Sequence, residues 1–313
     1  MMRLLRMLLL ALSLLAAPAA HADKRIALTF DDVPRARGSS FSPDERAALI
    51  VSSLKHEKVR QAAFFINPGR LAEPDGVGGE ARIVRYAAAG HVIANHGYSH
   101  LALTAVSSEA YLADIDRAEA WLKGKPGRRP WFRFPFLNEG GGDKAKRDAV
   151  RAGLASRKLS NAYVTVDAAD WQIDAMVTAA KAAGKTIDPA GLRDFFIARH
   201  VEAANYNDEL ARRTLGRAPV QVMLLHETDV TASYIALLVQ ALRKDGWTIE
   251  TADKAYADPI YRLQPDVPHS TGTLTERLAW EKGLPAPRWY RYLNSGEVTR
   301  LFNQQVLGET QSR

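Results

Sequence analysis

The chain has no cysteine among its 313 residues, so no disulfide can staple it and no thiol is left to carry a lipid anchor. An oxidising compartment permits disulfides without requiring them, so this absence does not argue against export. Long apolar runs are equally scarce. The one at the N-terminus, residues 7–17, follows Arg3 and Arg6 and precedes the small-x-small stretch Ala20-His21-Ala22. It falls short of the roughly 20 residues needed to span a bilayer, and it reads as a cleaved secretory signal over residues 1–22, with an uncleaved anchor as the lesser alternative. A soluble exported protein, periplasmic or secreted, with no stable membrane insertion is therefore expected. Strong charge of one sign is missing too. The formal net charge is +7, and loss of the two leader arginines leaves +5. The basic clusters GKPGRR (124–129) and ARRTLGR (211–217) are short and read as solvated faces, which excludes nucleic acid as a partner class. No internal repeat or low-complexity tract is present, and nothing in the sequence sets an oligomeric state.

What the chain does have is alternation. Apolar runs at 26–30, 61–66, 92–94, 131–134, 162–166, 220–225 and 247–250 predict seven strands, separated by helical stripes. That order is the pattern of an α/β fold with a mainly parallel sheet. Ser42, Pro43 and Glu45 form a capping-box start for the first crossover helix, and Ala47, Ile50, Val51 and Leu54 follow at helical spacing. Further stripes are Ile83/Val84/Ala87/Ala88, Tyr111/Ile115/Ala118/Leu122 and Tyr234/Leu237/Leu238/Ala241/Leu242. The segment 172–219 exceeds what one crossover needs, and it reads as extra packed helices in preference to a lid. Beyond residue 251 the pattern gives way to an irregular connector and an aromatic tail. There Trp280, Trp289, Tyr290 and Tyr292 pack back on the domain or, less simply, stack on sugar rings.

Chemistry-bearing residues collect at the ends of the predicted strands. Asp31 and Asp32 end the first; alone, adjacent acids there read as turn or cap residues. His96 and His100 follow the third, four apart, a spacing that lets two imidazoles reach one ion from a helical turn or a tight loop. Arg133 lies among apolar neighbours at the fourth, where a buried guanidinium needs a carboxylate partner. Asp167, Asp170 and Trp171 end the fifth and His226 the sixth, whereas His56, His91, His200 and His269 read as structural or surface residues. In a parallel barrel the C-terminal strand ends share one rim, so all five clusters would converge. A divalent cation would then offset the repulsion of the paired acids.

The ordered set TFDD (29–32), HGYSH (96–100), RFPF (133–136), DAADW (167–171) and LLH (224–226) resembles the polysaccharide deacetylases, the NodB-homology proteins of carbohydrate esterase family four, over roughly residues 25–250. The resemblance implies a distorted (β/α) barrel of about seven parallel strands over 23–250, carrying the 172–219 helices as an insertion, with 251–313 as an irregular and helical extension. It implies a hydrolase that removes acetyl groups from N-acetylated amino sugars of a glycan such as peptidoglycan, a chitin-like polymer or poly-N-acetylglucosamine. Asp32, His96 and His100 would be metal ligands, Asp31 the base and His226 the acid. Asp167 would orient His226, Arg133 would hold Asp31, Trp171 and Leu224 would line the acetyl pocket, and the Phe136 N–H would face the oxyanion. Nitrogen and oxygen donors suit zinc first, with cobalt, nickel, manganese or iron able to enter. The chain departs from the family pattern at Val33, Gly97 and Leu137, where glycine, a hydroxyl residue and glycine are usual. The alternatives are a catalytically inactive carbohydrate-binding protein on the same fold and a non-haem iron oxygenase, whose ligand order and β-rich scaffold differ.

Overall fold

The computed structural model describes residues 24–309, so the signal expected at 1–22 lies outside the described residues. Seven strands form one sheet: β1 (Lys24–Val33), β2 (Ala63–Ile66), β3 (Val92–Asn95), β4 (Arg128–Phe132), β5 (Ser160–Asn161), β6 (Gln221–His226) and β7 (Trp247–Ile249). Every pairing between these strands is parallel, in the order β5-β4-β3-β2-β1-β6, and β7 joins β1. The long first strand thus holds three partners, β7 at its start, β6 through its middle and β2 towards its end.

The expected α/β fold with about seven strands is present, with two local differences. The fourth strand stops at Phe132, so Arg133 lies just past it and not within it. The fifth was expected at 162–166, but only Ser160 and Asn161 pair regularly, with Trp131 and Phe132. The chain then crosses to β6, where the N–H groups of Thr165 and Val166 donate to Val222 O and Leu224 N–H donates to Val166 O. That crossing curls the sheet: one short segment has its hydrogen bonds divided between two distant strands.

Ten helices accompany the strands: α1 (Pro43–His56), α2 (Gly79–Ala88), α3 (Ser108–Leu122), α4 (Lys144–Ser156), α5 (Asp170–Ala182), α6 (Pro189–Leu215), α7 (Asp229–Lys244), α8 (Ala252–Tyr256), α9 (Leu274–Glu281) and α10 (Ser295–Gln305), counted among the described residues. The capping box of α1 forms as its sequence dictates: Ser42 Oγ accepts from Glu45 N–H while the Glu45 carboxylate accepts from Ser42 N–H. Gly184 separates α5 from α6, and Asp188 caps α6 ahead of Pro189. Phe195 and Phe196 of α6 are buried in the main core beside α7, so this stretch is packed structure and not a lid. Leu28 and Phe30 of β1 belong to that same helix-covered core, and Ala27 to a separate cluster. The period of two therefore puts Ala27, Thr29 and Asp31 on the inner face. No described helix is long and apolar enough to cross a membrane.

Candidate active site

Register places the chemistry. Asp31 is the direct partner of His226 across β1 and β6, so base and acid candidates stand at one level of the rim. Ile66 pairs with Asn95 and Asn95 with Phe132, which sets His96 and Arg133 one residue beyond that line on neighbouring strands. The stretch after β3 is a tight loop and not a helical turn. Asn67 Nδ2 donates to the carbonyls of His96 and Gly97, and Asp114 accepts from the N–H groups of Tyr98 and Ser99. Gly97 adopts φ +77°, a conformation that disfavours the hydroxyl residue usual at this position.

Asp32, His96 and His100 bring their donor atoms within 4.8 Å of one another. Asp32 Oδ1 lies 2.9 Å from His100 Nε2 and 3.5 Å from His96 Nε2, yet it is buried and hydrogen-bonds with neither. A buried carboxylate oxygen left without a proton donor, facing two imidazole nitrogens, is what a cation site offers; the residues fit a divalent metal. His96 Nδ1–H donates to Arg133 O at 2.9 Å, which fixes the tautomer that presents Nε2. Burial pushes the His100 pKa down, keeping it neutral as a ligand must be. The backbone is left-handed at Asp32 (φ 65°) and His100 (φ 52°), conformations that cost free energy and that cluster at functional sites.

Asp31 is buried and held by Arg133, whose Nη1 donates to Asp31 Oδ1 at 2.5 Å and to Thr29 Oγ1 at 2.9 Å. The remaining donors of this guanidinium go to Ala162 O and the Tyr256 hydroxyl, and its plane lies over the Phe65 ring. The carboxylate expected for this buried arginine is there.

The partner of His226 differs from expectation. Asp167 was expected to orient the imidazole, but His226 Nδ1–H donates to Asp170 Oδ1 at 2.7 Å, and Asp170 Oδ2 accepts from His226 N–H and Thr231 Oγ1. Asp167 instead turns back to accept from Ala169 N–H, and burial, reinforced by the charges of Asp170 and Asp31, raises its pKa to about 6. The physical reason is the left-handed residue Ala169 (φ 53°), which swings the chain so that Asp170 opens α5 facing β6. Burial opposes charge on His226, but the Asp170 carboxylate outweighs it, with help from Asp32 and Asp31, and lifts its pKa to about 9.

Asp31, Asp32, His96, His100 and His226 line one cleft of about 490 Å³, together with Trp171, Leu224, Phe136 and Asp167, while Arg133 and Asp170 stand behind its wall. Phe136 adopts φ 60° and Leu137 φ 49°, so a leucine holds the conformation for which the family's usual glycine is suited. The Phe136 ring packs edge-on to His100.

Four features escaped the sequence reading. Arg35 Nη1 lies 2.8 Å from Asp32 Oδ2 and Arg70 Nη2 3.6 Å from it, balancing the oxygen that faces away from the imidazoles. Glu227, next to His226, accepts from Arg35 N–H and from the Tyr86 hydroxyl. Asp229 accepts from Ser40 N–H and pairs with buried Arg46, so both acids pin the 34–41 loop that follows Asp32. Gly272, from beyond residue 251, supplies part of the cleft wall. Only Arg35, three residues after Asp32, carried a local signal.

The model of the polysaccharide deacetylase family matches residues 19–155. This bears out the resemblance read from the motifs, although the motifs at 167–171 and 224–226 fall beyond the matched stretch. A 114-residue stretch is 34% identical to a peptidoglycan-N-acetylglucosamine deacetylase of Bacillus cereus, covering 36% of each chain. A stretch of the same length is 30% identical to a chitin deacetylase of Colletotrichum lindemuthianum, covering 36% of this chain and 42% of that one. The match thus spans about two-fifths of the length of these curated relatives. In fold, the chain resembles the solved structure of the chitin deacetylase from Colletotrichum lindemuthianum, with a TM-score of 0.52 at 18% identity over 75% of this chain and 88% of that one.

Proposed function

We propose that the chain, whose residues 19–155 match the polysaccharide deacetylase model, hydrolyses acetyl groups from the N-acetylated amino sugars of an extracytoplasmic glycan. One observation carries the reading: a three-donor cation site lies in a single cleft between a buried Asp31–Arg133 pair and a charged His226–Asp170 pair.

The cation would be held by Asp32, His96 and His100. When bound, it supplies Lewis acidity to the acetyl carbonyl and acidity to water; zinc suits the donor set, and cobalt, nickel, manganese or iron can enter it. Asp31 accepts the proton that the attacking water loses, and Arg133 fixes the carboxylate so that Oδ2 is the oxygen left to do so. The Phe136 N–H faces the oxygen on which negative charge develops. An amine leaves only when protonated. His226 carries that proton, because Asp170 occupies Nδ1 and keeps the ring charged, which leaves Nε2 for the leaving nitrogen. Trp171 and Leu224 enclose the acetyl methyl group. Atoms balance as glycan acetamide plus water giving acetate plus the free amino sugar. Residues 1–22 would direct the protein to the periplasm or beyond.

The test is acetate release from a panel of chitin oligomers, peptidoglycan, poly-N-acetylglucosamine and acetyl xylan, with added metals and with oxygen consumption monitored. Release from an N-acetylated glycan without oxygen uptake, abolished in Asp31→Asn and His226→Ala, is expected. Undiminished release in both variants would end the assignment.

A further inference from the structure

The segment after residue 263 is fastened to the rim at several points. Ser270 pairs antiparallel with Gly141, its carbonyl accepts from Glu139 N–H and its hydroxyl from Arg147, while Leu274 N–H donates to Val164 O. Glu139, itself buried, takes both Arg151 and Arg277. The extension is therefore a fixed wall and not a loose tail.

Gly272 lies at the end of that wall and lines two cavities at once, the catalytic cleft and an adjoining cavity of about 300 Å³ that contains Glu276, Trp280, Arg288 and Trp289. A side chain at 272 would stand 2.5 Å from Glu276 Oε2, and its φ of +81° also favours glycine, so no side chain rises from this residue where the two cavities share it. The aromatic tail divides its labour. Tyr290 and Tyr292 are buried in the main core, whereas Trp289 is 47% exposed beside them. Holding a large apolar ring half in solvent is unfavourable unless something covers it, and an indole face is suited to the C–H face of a pyranose.

We propose that Trp289 and Trp280 form a sugar-binding subsite continuous with the catalytic cleft, which holds a neighbouring ring of the same glycan chain whose acetyl group lies at Asp32, His96 and His100. The inference rests on the deacetylase reading for its ligand, a chain of N-acetylated pyranoses. The occupant follows from continuity: a polymer threaded through the catalytic cleft leaves it past Gly272, and the tryptophans are what it meets next.

The experiment measures binding of the N-acetylglucosamine tetramer and monomer to the Asp31→Asn protein, alone and combined with Trp289→Ala or Trp289→Phe. Isothermal titration gives affinity and circular dichroism monitors folding. Trp289→Ala is expected to weaken tetramer binding about five- to tenfold, with Trp289→Phe within about twofold of the parent and monomer binding unchanged. Equal tetramer affinity in the parent and Trp289→Ala proteins, or equal loss for tetramer and monomer, would overturn the subsite. Acetate release by the wild-type protein reports separately on the deacetylase reading. Release with unchanged binding removes the subsite alone; length-dependent loss of binding without release removes the deacetylase reading alone.

Discussion

Replacing Asp170 with Asn should move the alkaline limb of the pH–rate profile, and the structure sets by how much. In the native protein the Asp170 carboxylate is the main force holding the His226 pKa at about 9, against burial that works the other way. Asparagine keeps one of the two acceptor oxygens, enough for the His226 Nδ1–H, but removes the charge, so the imidazole returns to about its ordinary 6.5 or below. At pH 8 the charged fraction falls from about nine-tenths to about 3%, so acetate release should drop roughly thirtyfold; at pH 6 the loss should be less than about twofold. Rates measured from pH 5.5 to 9.5, beside an NMR titration of the His226 ring, give both readouts. Stability follows the same linkage. The folded pKa is raised, so the pair's contribution is whole below about pH 6.5 and is lost as pH rises through about 9. The wild-type Tm should therefore fall more steeply over that window than that of Asp170→Asn. A profile for Asp170→Asn that superimposes on wild type, or a shift produced by Asp167→Asn in its place, would refute the assignment.

Three further outcomes are expected. His96→Ala should lose bound metal, as read by elemental analysis, while Asp31→Asn keeps its metal and loses acetate release, since Asp31 is not among the three donors. Chelation of the wild-type protein should abolish release and added zinc restore it. Arg46→Met leaves buried Asp229 without its ion-pair partner and should lower unfolding free energy by about 3–5 kcal/mol in urea titration, with the 34–41 loop loosened.

Locally encoded features were legible. Ser42, Pro43 and Glu45 announce a helix start because all the capping partners lie within four residues. Asp31, Asp32, His96, His100 and His226 could be placed on one rim because parallel strands align their ends. Where the answer depended on contacts between distant residues, the sequence was silent. The run AYVTV reports burial, not the fact that its hydrogen bonds belong to two strands. Asp167 and Asp170 are equivalent as letters, and the left-handed turn at Ala169 that distinguishes them has no glycine to mark it. Tyr290 and Trp289 adjoin in sequence, one buried and one exposed, and no periodicity tells them apart.

The first strand is bonded to three others, and both acids of the TFDD motif sit at its end. Amides at Leu28–Phe30 should accordingly exchange with solvent only when the whole molecule opens, whereas the 160–166 crossing, held by scattered bonds, can open on its own. Under mild denaturation the protein would then loosen Asp170, the carboxylate that keeps His226 charged, before the strand that bears its acids, passing through a form that still grips metal and turns over poorly above neutral pH.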